Sequence, residues 1–153
     1  MSAYSFLDVT ATLYNESTKL SINLGVGAGV AEEGITWEPV GTKNVVESGA
    51  DGSGTNNLIA SNVGIVTVRL LKTSPANKPL SVAFNEQTAI PFLWGSNIIK
   101  ISMPGRGDVG IFTQVALQNL PSLTWAQEAG MNEWIFDCID STILLGSGTP
   151  ESN

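Results

Sequence analysis

Hydrophobic and polar residues alternate along most of this chain with a period of two. The clearest run, Gly64 to Lys72, puts Val66, Val68 and Leu70 on one face and Thr67, Arg69 and Leu71 on the other. That is the pattern of a strand lying between two unlike environments. The same spacing predicts strands over Tyr4 to Tyr14, Lys19 to Leu24, Gly34 to Val40, Asn97 to Met103, Val109 to Leu120 and Asn132 to Leu144. In the first of these, Phe6, Asp8, Thr10 and Thr12 share one side, and Leu7, Val9, Ala11 and Leu13 the other. Asn15-Glu16-Ser17-Thr18 reads as a turn joining the first two strands into a hairpin. Pro39 has no N–H to give, so the third strand ends there or lies at a sheet edge. One segment reads as helical: Ser74 offers a capping oxygen, Pro75 suits the first helical position, and Leu80, Ala83 and Phe84 form a stripe in a helix running to about Thr88. The expected fold is mainly β with one α-helix, in a single domain over residues 1–153.

Two stretches break the pattern. Residues 41–57 are polar and glycine-rich, and within them Glu47, Ser48, Asp51, Gly52, Gly54 and Asn56 give no apolar face. A loop of this length inside a compact domain is usually functional or disordered, so it is expected to be an arm that reaches a neighbour. The tail over residues 146–153 is expected to be flexible or bound by a partner. Pro121 to Gly130 starts strand-like and then turns.

Composition sharpens this reading. Charged residues are only 14% of the 153, against about 25% in ordinary globular domains. Charge depletion marks the cores of protein interfaces, so much of the surface is expected to be covered by copies of the same chain. The charge present is unbalanced, with Asp+Glu 14 against Lys+Arg 7 and a net charge of −7. Such a surface repels phosphate, which argues against tight nucleic-acid binding but suits a passage that DNA must traverse without sticking. No apolar run reaches the ~18 residues of a membrane span, and the first residues lack a signal peptide's basic and apolar regions. Assembly in the cytoplasm is expected.

Catalytic chemistry is hard to place. The chain has no histidine and one cysteine, Cys138, which removes Ser-His-Asp and Cys-His nucleophiles and a zinc cluster. Glu32 and Glu33 are strand neighbours that point to opposite faces and make a poor acid–base couple. Gly25-Val26-Gly27-Ala28-Gly29-Val30 has its third glycine too early for a dinucleotide loop, and a strand follows it. Asp51-Gly52-Ser53-Gly54 lacks the spaced acidic ligands of a calcium loop. Arg106-Gly107-Asp108 reads as turn chemistry. The tryptophans Trp37, Trp94, Trp125 and Trp134 lack the basic groove of a base-stacking platform and are expected as core or interface anchors. No enzyme and no cofactor is expected. A carbohydrate-binding or adhesion module using exposed tryptophans is the alternative from another class.

The order of motifs adds a family resemblance. Ser5-Phe6-Leu7-Asp8-Val9-Thr10-Ala11-Thr12, Gly29 to Thr36, Gly49 to Gly54, Thr67 to Pro75, Gly107-Asp108-Val109, Gly130 to Asp137 and Ile143 to Pro150 follow one another. This series resembles the tail tube (inner tube) proteins of contractile-tailed bacteriophages, structural proteins encoded beside the tail sheath. The resemblance covers essentially the whole chain and implies a ring-forming β-sandwich or barrel-like sheet with one flanking helix. It implies hexameric rings joined edge to edge and stacked into a hollow tube that conducts genomic DNA during ejection. It also implies a contractile sheath around the tube, with baseplate and tail terminator proteins as further partners in the virion. Tubes of tailocins or type VI-like secretion machines share this architecture. The candidates for the lumen are Asp8, Thr10, Thr12, Glu38, Asp137 and Asp140; a solvent-exposed outer face gives the same pattern. The arm over residues 41–57 is the candidate for ring-to-ring contact, with the N-terminal segment and the tail over residues 146–153 as secondary candidates.

Overall fold

The computed structural model describes residues 5–25, 27–105, 107–128 and 130–146, with the side chains of residues 31–33 left aside. The strands are β1 (Thr10–Asn15), β2 (Leu20–Asn23), β3 (Val30–Pro39), β4 (Asn44–Ser48), β5 (Gly54–Leu58), β6 (Gly64–Leu71), β7 (Asn97–Met103), β8 (Asp108–Leu117) and β9 (Met131–Leu144). A single α-helix, α1 (Asn77–Ala89), follows β6. Seven strands form one antiparallel sheet in the order β2-β1-β7-β8-β9-β6-β3, and β4 pairs only with β5.

Alternation decides which face of the sheet is covered. Val66, Val68 and Leu70 of β6 are fully buried, as are Ala11 and Leu13 of β1, Val115 and Leu117 of β8, and Phe136 and Cys138 of β9. Strands from both ends of the sheet feed one core cluster with Leu80 of α1, so the sheet curls around its own apolar face and the helix closes it. Each large side chain buried there contributes roughly 1.5–3 kcal/mol. The curl brings backbones close at Gly25, where a Cβ would sit 2.6 Å from the Ala11 nitrogen; only glycine fits.

The start of the chain departs from expectation. The first strand begins at Thr10, because the Ser5 hydroxyl accepts from the Leu7 N–H and caps a 3-10 turn over Phe6–Asp8. Asp8 is therefore not in register with Thr10 and Thr12. The helix also starts later than expected. Ser74 accepts from the Ala76 N–H and donates to the Ala28 carbonyl, which ties the β6–α1 turn to the loop before β3. Pro75 lies in that turn, not at the first helical position. The buried stripe of α1 is Leu80, Ala83 and Gln87, with Phe84 half-buried against it.

Gln87 belongs to a buried amide cluster that fastens the helix to the sheet. Asn97 donates to the Gln87 Oε1 at 2.8 Å and to the Val115 carbonyl at 3.0 Å. Its own Oδ1 accepts from Gln87 at 3.0 Å and from Asn15 at 2.9 Å. The Asn15 Oδ1 in turn accepts from the N–H groups of Ser17 and Thr18 and shapes the β1–β2 turn. At the other end of α1, Trp134 Nε1 donates to the Asn77 Oδ1 at 3.0 Å.

Candidate assembly surfaces

The arm is a β-hairpin rather than a loop. β3 and β6 pair as far as Pro39 opposite Gly64, and the Val40 N–H donates to the Val63 carbonyl. The ribbon resumes one residue out of step, with the Ile59 N–H on the Lys43 carbonyl and Asn44 opposite Leu58. The sequence-based limit at Asn57 thus falls one residue short of β5. At the tip, the Asp51 carboxylate accepts from both the N–H and the hydroxyl of Ser53. Those bonds hold the carboxyl below its ordinary value, so their contribution is present above the ordinary pKa and fades as pH falls through the lowered one. Glu47, Ser48, Asp51, Gly52, Gly54 and Asn56 are all exposed.

Register gives the arm two unlike faces. Asn44, Val46 and Ser48 stand opposite Leu58, Asn56 and Gly54, making an uncharged face on which Val46 is 62% and Leu58 83% exposed. The other face carries Val45 and Glu47 opposite Asn57 and Thr55.

The face of the main sheet turned away from the core collects five of the six sequence-based lumen residues. Thr10 and Thr12 alternate with buried Val9, Ala11 and Leu13. Glu38 lies opposite Ile65, Ile65 opposite Asp137, and Asp137 opposite Ala116, so the two carboxylates occupy one row two strands apart, about 9–10 Å. Asp140 lies opposite Thr113, where Gln114 at φ 52 bends β8 and shifts the inward phase from Phe112 to Val115. Asp8 sits apart in its turn, exposed beside Gly105. The face is not purely acidic. Lys100 stands opposite Thr12, and Arg69 lies opposite Glu133 at 4.0 Å while donating to Thr36. The alternation of β6 and β7 carried that information, since Arg69 already falls with Thr67.

β2 and β3 are the outermost strands of the sheet among the described residues, and Pro39 does lie on an edge strand. Among the same residues a third border follows from strand lengths: β6 reaches β9 only as far as Cys138, while β9 runs on to Leu144 against β8 alone. Beneath that overhang lies an apolar cleft of roughly 620 Å3, walled by Ile35 and Trp37 of β3 on one side and Met103, Phe112 and Ile143 on the other. Its one described charge, Asp108, accepts from the Gly146 N–H at 2.7 Å.

The tryptophans divide. Trp134 is core at 2% exposure and Trp37 packs against the core with Phe112, but Trp125 is 81% exposed, with Lys72 over its ring at 5.3 Å. Residues 118–128 around it form no strand. The side chains of Glu32 and Glu33, and Arg106 and residues 147–153, lie outside what the structure describes. Among the described residues no cluster of metal-ligating side chains occurs, and no helix is long and apolar enough to cross a membrane.

Solved structures share this fold. The cap that terminates the tube of the anti-feeding prophage matches with a TM-score of 0.60 at 14% identity, over 95% of this chain and 93% of that one. The sheath/tube terminator of the PVC extracellular contractile injection system, in its extended state, matches with a TM-score of 0.60 at 12% identity, over 94% and 98%. A chain of the PVC sheath-tube complex matches with a TM-score of 0.53 at 10% identity, over 88% of each. Comparison with curated protein sequences gives no match. The family model described as bacteriophage PhiTE tail tube protein matches residues 1–146, so the chain belongs to that tail tube family and has the structural role that membership carries.

Proposed function

We propose that this chain is the repeating subunit of a contractile phage tail: copies join through the β2 and β3 edges into hexameric rings, and the rings stack into a hollow tube. The arm over residues 41–57, extended to Leu58, makes the ring-to-ring contact. The face bearing Thr10, Thr12, Glu38, Asp137 and Asp140 lines a bore through which genomic DNA passes without specific binding. A sheath surrounds the tube, and baseplate and terminator proteins bound its ends in the virion. The observation that carries this reading is the seven-stranded sheet with an apolar inner face, an outer face of mixed polar, charged and aliphatic residues, and β2 and β3 as outermost strands among the described residues. Unpaired edges invite pairing with another chain, and ring closure removes them.

Negative-stain microscopy of the purified protein is expected to show hollow rods. A monodisperse monomer that binds glycans saturably overturns the reading in favour of an adhesion module. The likeness to two tube-terminating proteins favours a second reading, a terminating ring; single rings that never stack establish it. Lining of the bore is tested by labelling. An Asp140→Cys variant in assembled rods is expected to react with a small maleimide but not with a long polyethylene-glycol maleimide, and equal reaction with both places that face outside.

A further inference from the structure

The tube reading leaves open what the arm grips, and the geometry points to the apolar cleft beneath the β9 overhang as the seat for the Val46/Leu58 face of the arm of a second copy. This inference rests on the tube reading and adds the receiving surface. Each half lacks a partner among the described residues of its own chain. β4 and β5 make substantial contact only with each other, and a two-stranded hairpin alone in water is marginal, so its apolar face needs cover. The cleft has Phe112 at its floor and leaves Ile35 and Trp37 only partly buried and Ile143 38% exposed, with no strand or helix packed over them among the described residues.

Chemistry selects the face and the occupant. The Val46/Leu58 face carries no charge, whereas seating the opposite face would strip water from Glu47, a cost with no cation among the described cleft residues to offset it. Among the described residues, the backbone from Ile139 to Leu144 has no strand on the side where β6 has ended. That border suits a strand-shaped occupant, which recruits main-chain hydrogen bonds as well as apolar pockets. The arm is long, with Val40 to Ser48 spanning about 26 Å at about 3.3 Å per residue. Phe6 and Leu145 border the cleft, so the segments beyond them are the competing occupants that the test must separate from the arm.

The test mixes two single-cysteine variants so that any link is between chains. Val46→Cys is co-assembled with Ile143→Cys and treated with a short bis-maleimide. Cys138 is buried and its thiol is pushed up to about 12 by that burial and by Asp137, so it stays silent near neutral pH. Cross-linked dimer is expected at least about fivefold above a Val45→Cys mixture, which presents the opposite arm face. Leu58→Cys is the second arm probe should Val46→Cys rods be sparse. Intact rods with equal or no linking from positions 46, 58 and 45 overturn the seat and leave the tube reading standing. Rods in which Ile143→Cys links instead to Ser2→Cys or Ser152→Cys assign the cleft to a terminus and overturn it too. Absence of rods or rings from the unmodified chain defeats the tube reading itself.

Discussion

Replacing residues 41–62 with a two-residue Asn-Gly turn leaves a folded subunit that no longer grows into rods. The cut falls where Val40 and Val63 still exchange a backbone bond, so Asn-Gly closes β3 onto β6 as a two-residue hairpin of the favoured twist. The body loses little, because the arm's strands contact chiefly each other. Shortening the connection recovers about 0.6 kcal/mol for each halving of its length, so thermal or urea midpoints are expected to hold or rise slightly. Assembly loses much more. Covering Val46 and Leu58 contributes roughly 1.5–3 kcal/mol each. Removing both raises the concentration needed for stacking by more than about 100-fold, at about 1.4 kcal/mol per decade. Sedimentation velocity reads the size and negative stain the rods. Rods of normal length from this variant defeat the arm as ring-to-ring contact.

The arm also shows where sequence reading reached its limit. Its polarity and glycines mark it as an exposed segment, and residues 41–56 are exposed. The sequence reads as a loop there because no apolar face repeats at every second residue: Asn56 and Asn57 interrupt β5, and Val45 and Val46 point to opposite sides. A hairpin that buries nothing in its own body leaves no burial signal in its own pattern. Strands that do bury a face were legible, β6 most clearly and β7 to the residue. Pro39 identified an edge through its missing donor. Asp8 failed for a local reason: alternation placed it with Thr10, but a Ser5 hydroxyl bond redirected three residues into a turn. Five of the six lumen candidates share a face because alternation is a property of each strand alone. Their grouping into rows, and the pairing of Lys100 with Thr12 and of Arg69 with Glu133, came from register, which no single strand encodes.

The buried amides were invisible for a different reason, and they carry the largest expected loss of stability. Asn15, Gln87 and Asn97 are polar residue types at core positions, with exposures of 0%, 3% and 0%; residue type assigns them to the surface, although the period puts Asn15 in phase with Leu13, Asn97 with Ile99 and Gln87 with Leu80 and Ala83. Asn97→Leu is expected to destabilise the subunit by roughly 3–5 kcal/mol. It strands both amide atoms of Gln87 and the Val115 carbonyl, and leaves Asn15 with only the Ser96 bond from its amide nitrogen. Buried polar groups left unpaired cost about 1–3 kcal/mol each, offset in part by the added apolar side chain. Gln87→Leu is milder, at roughly 1–2 kcal/mol, because Asn97 keeps Asn15 and Val115 as partners. The double variant is the decisive measurement. Once both amides are leucine, the stranded groups on Gln87 no longer exist, so the pair is expected to cost less than the sum of the singles by about 1 kcal/mol or more. Urea unfolding of the four proteins gives that coupling directly. Strict additivity would mean that Gln87 and Asn97 fasten helix to sheet by packing alone.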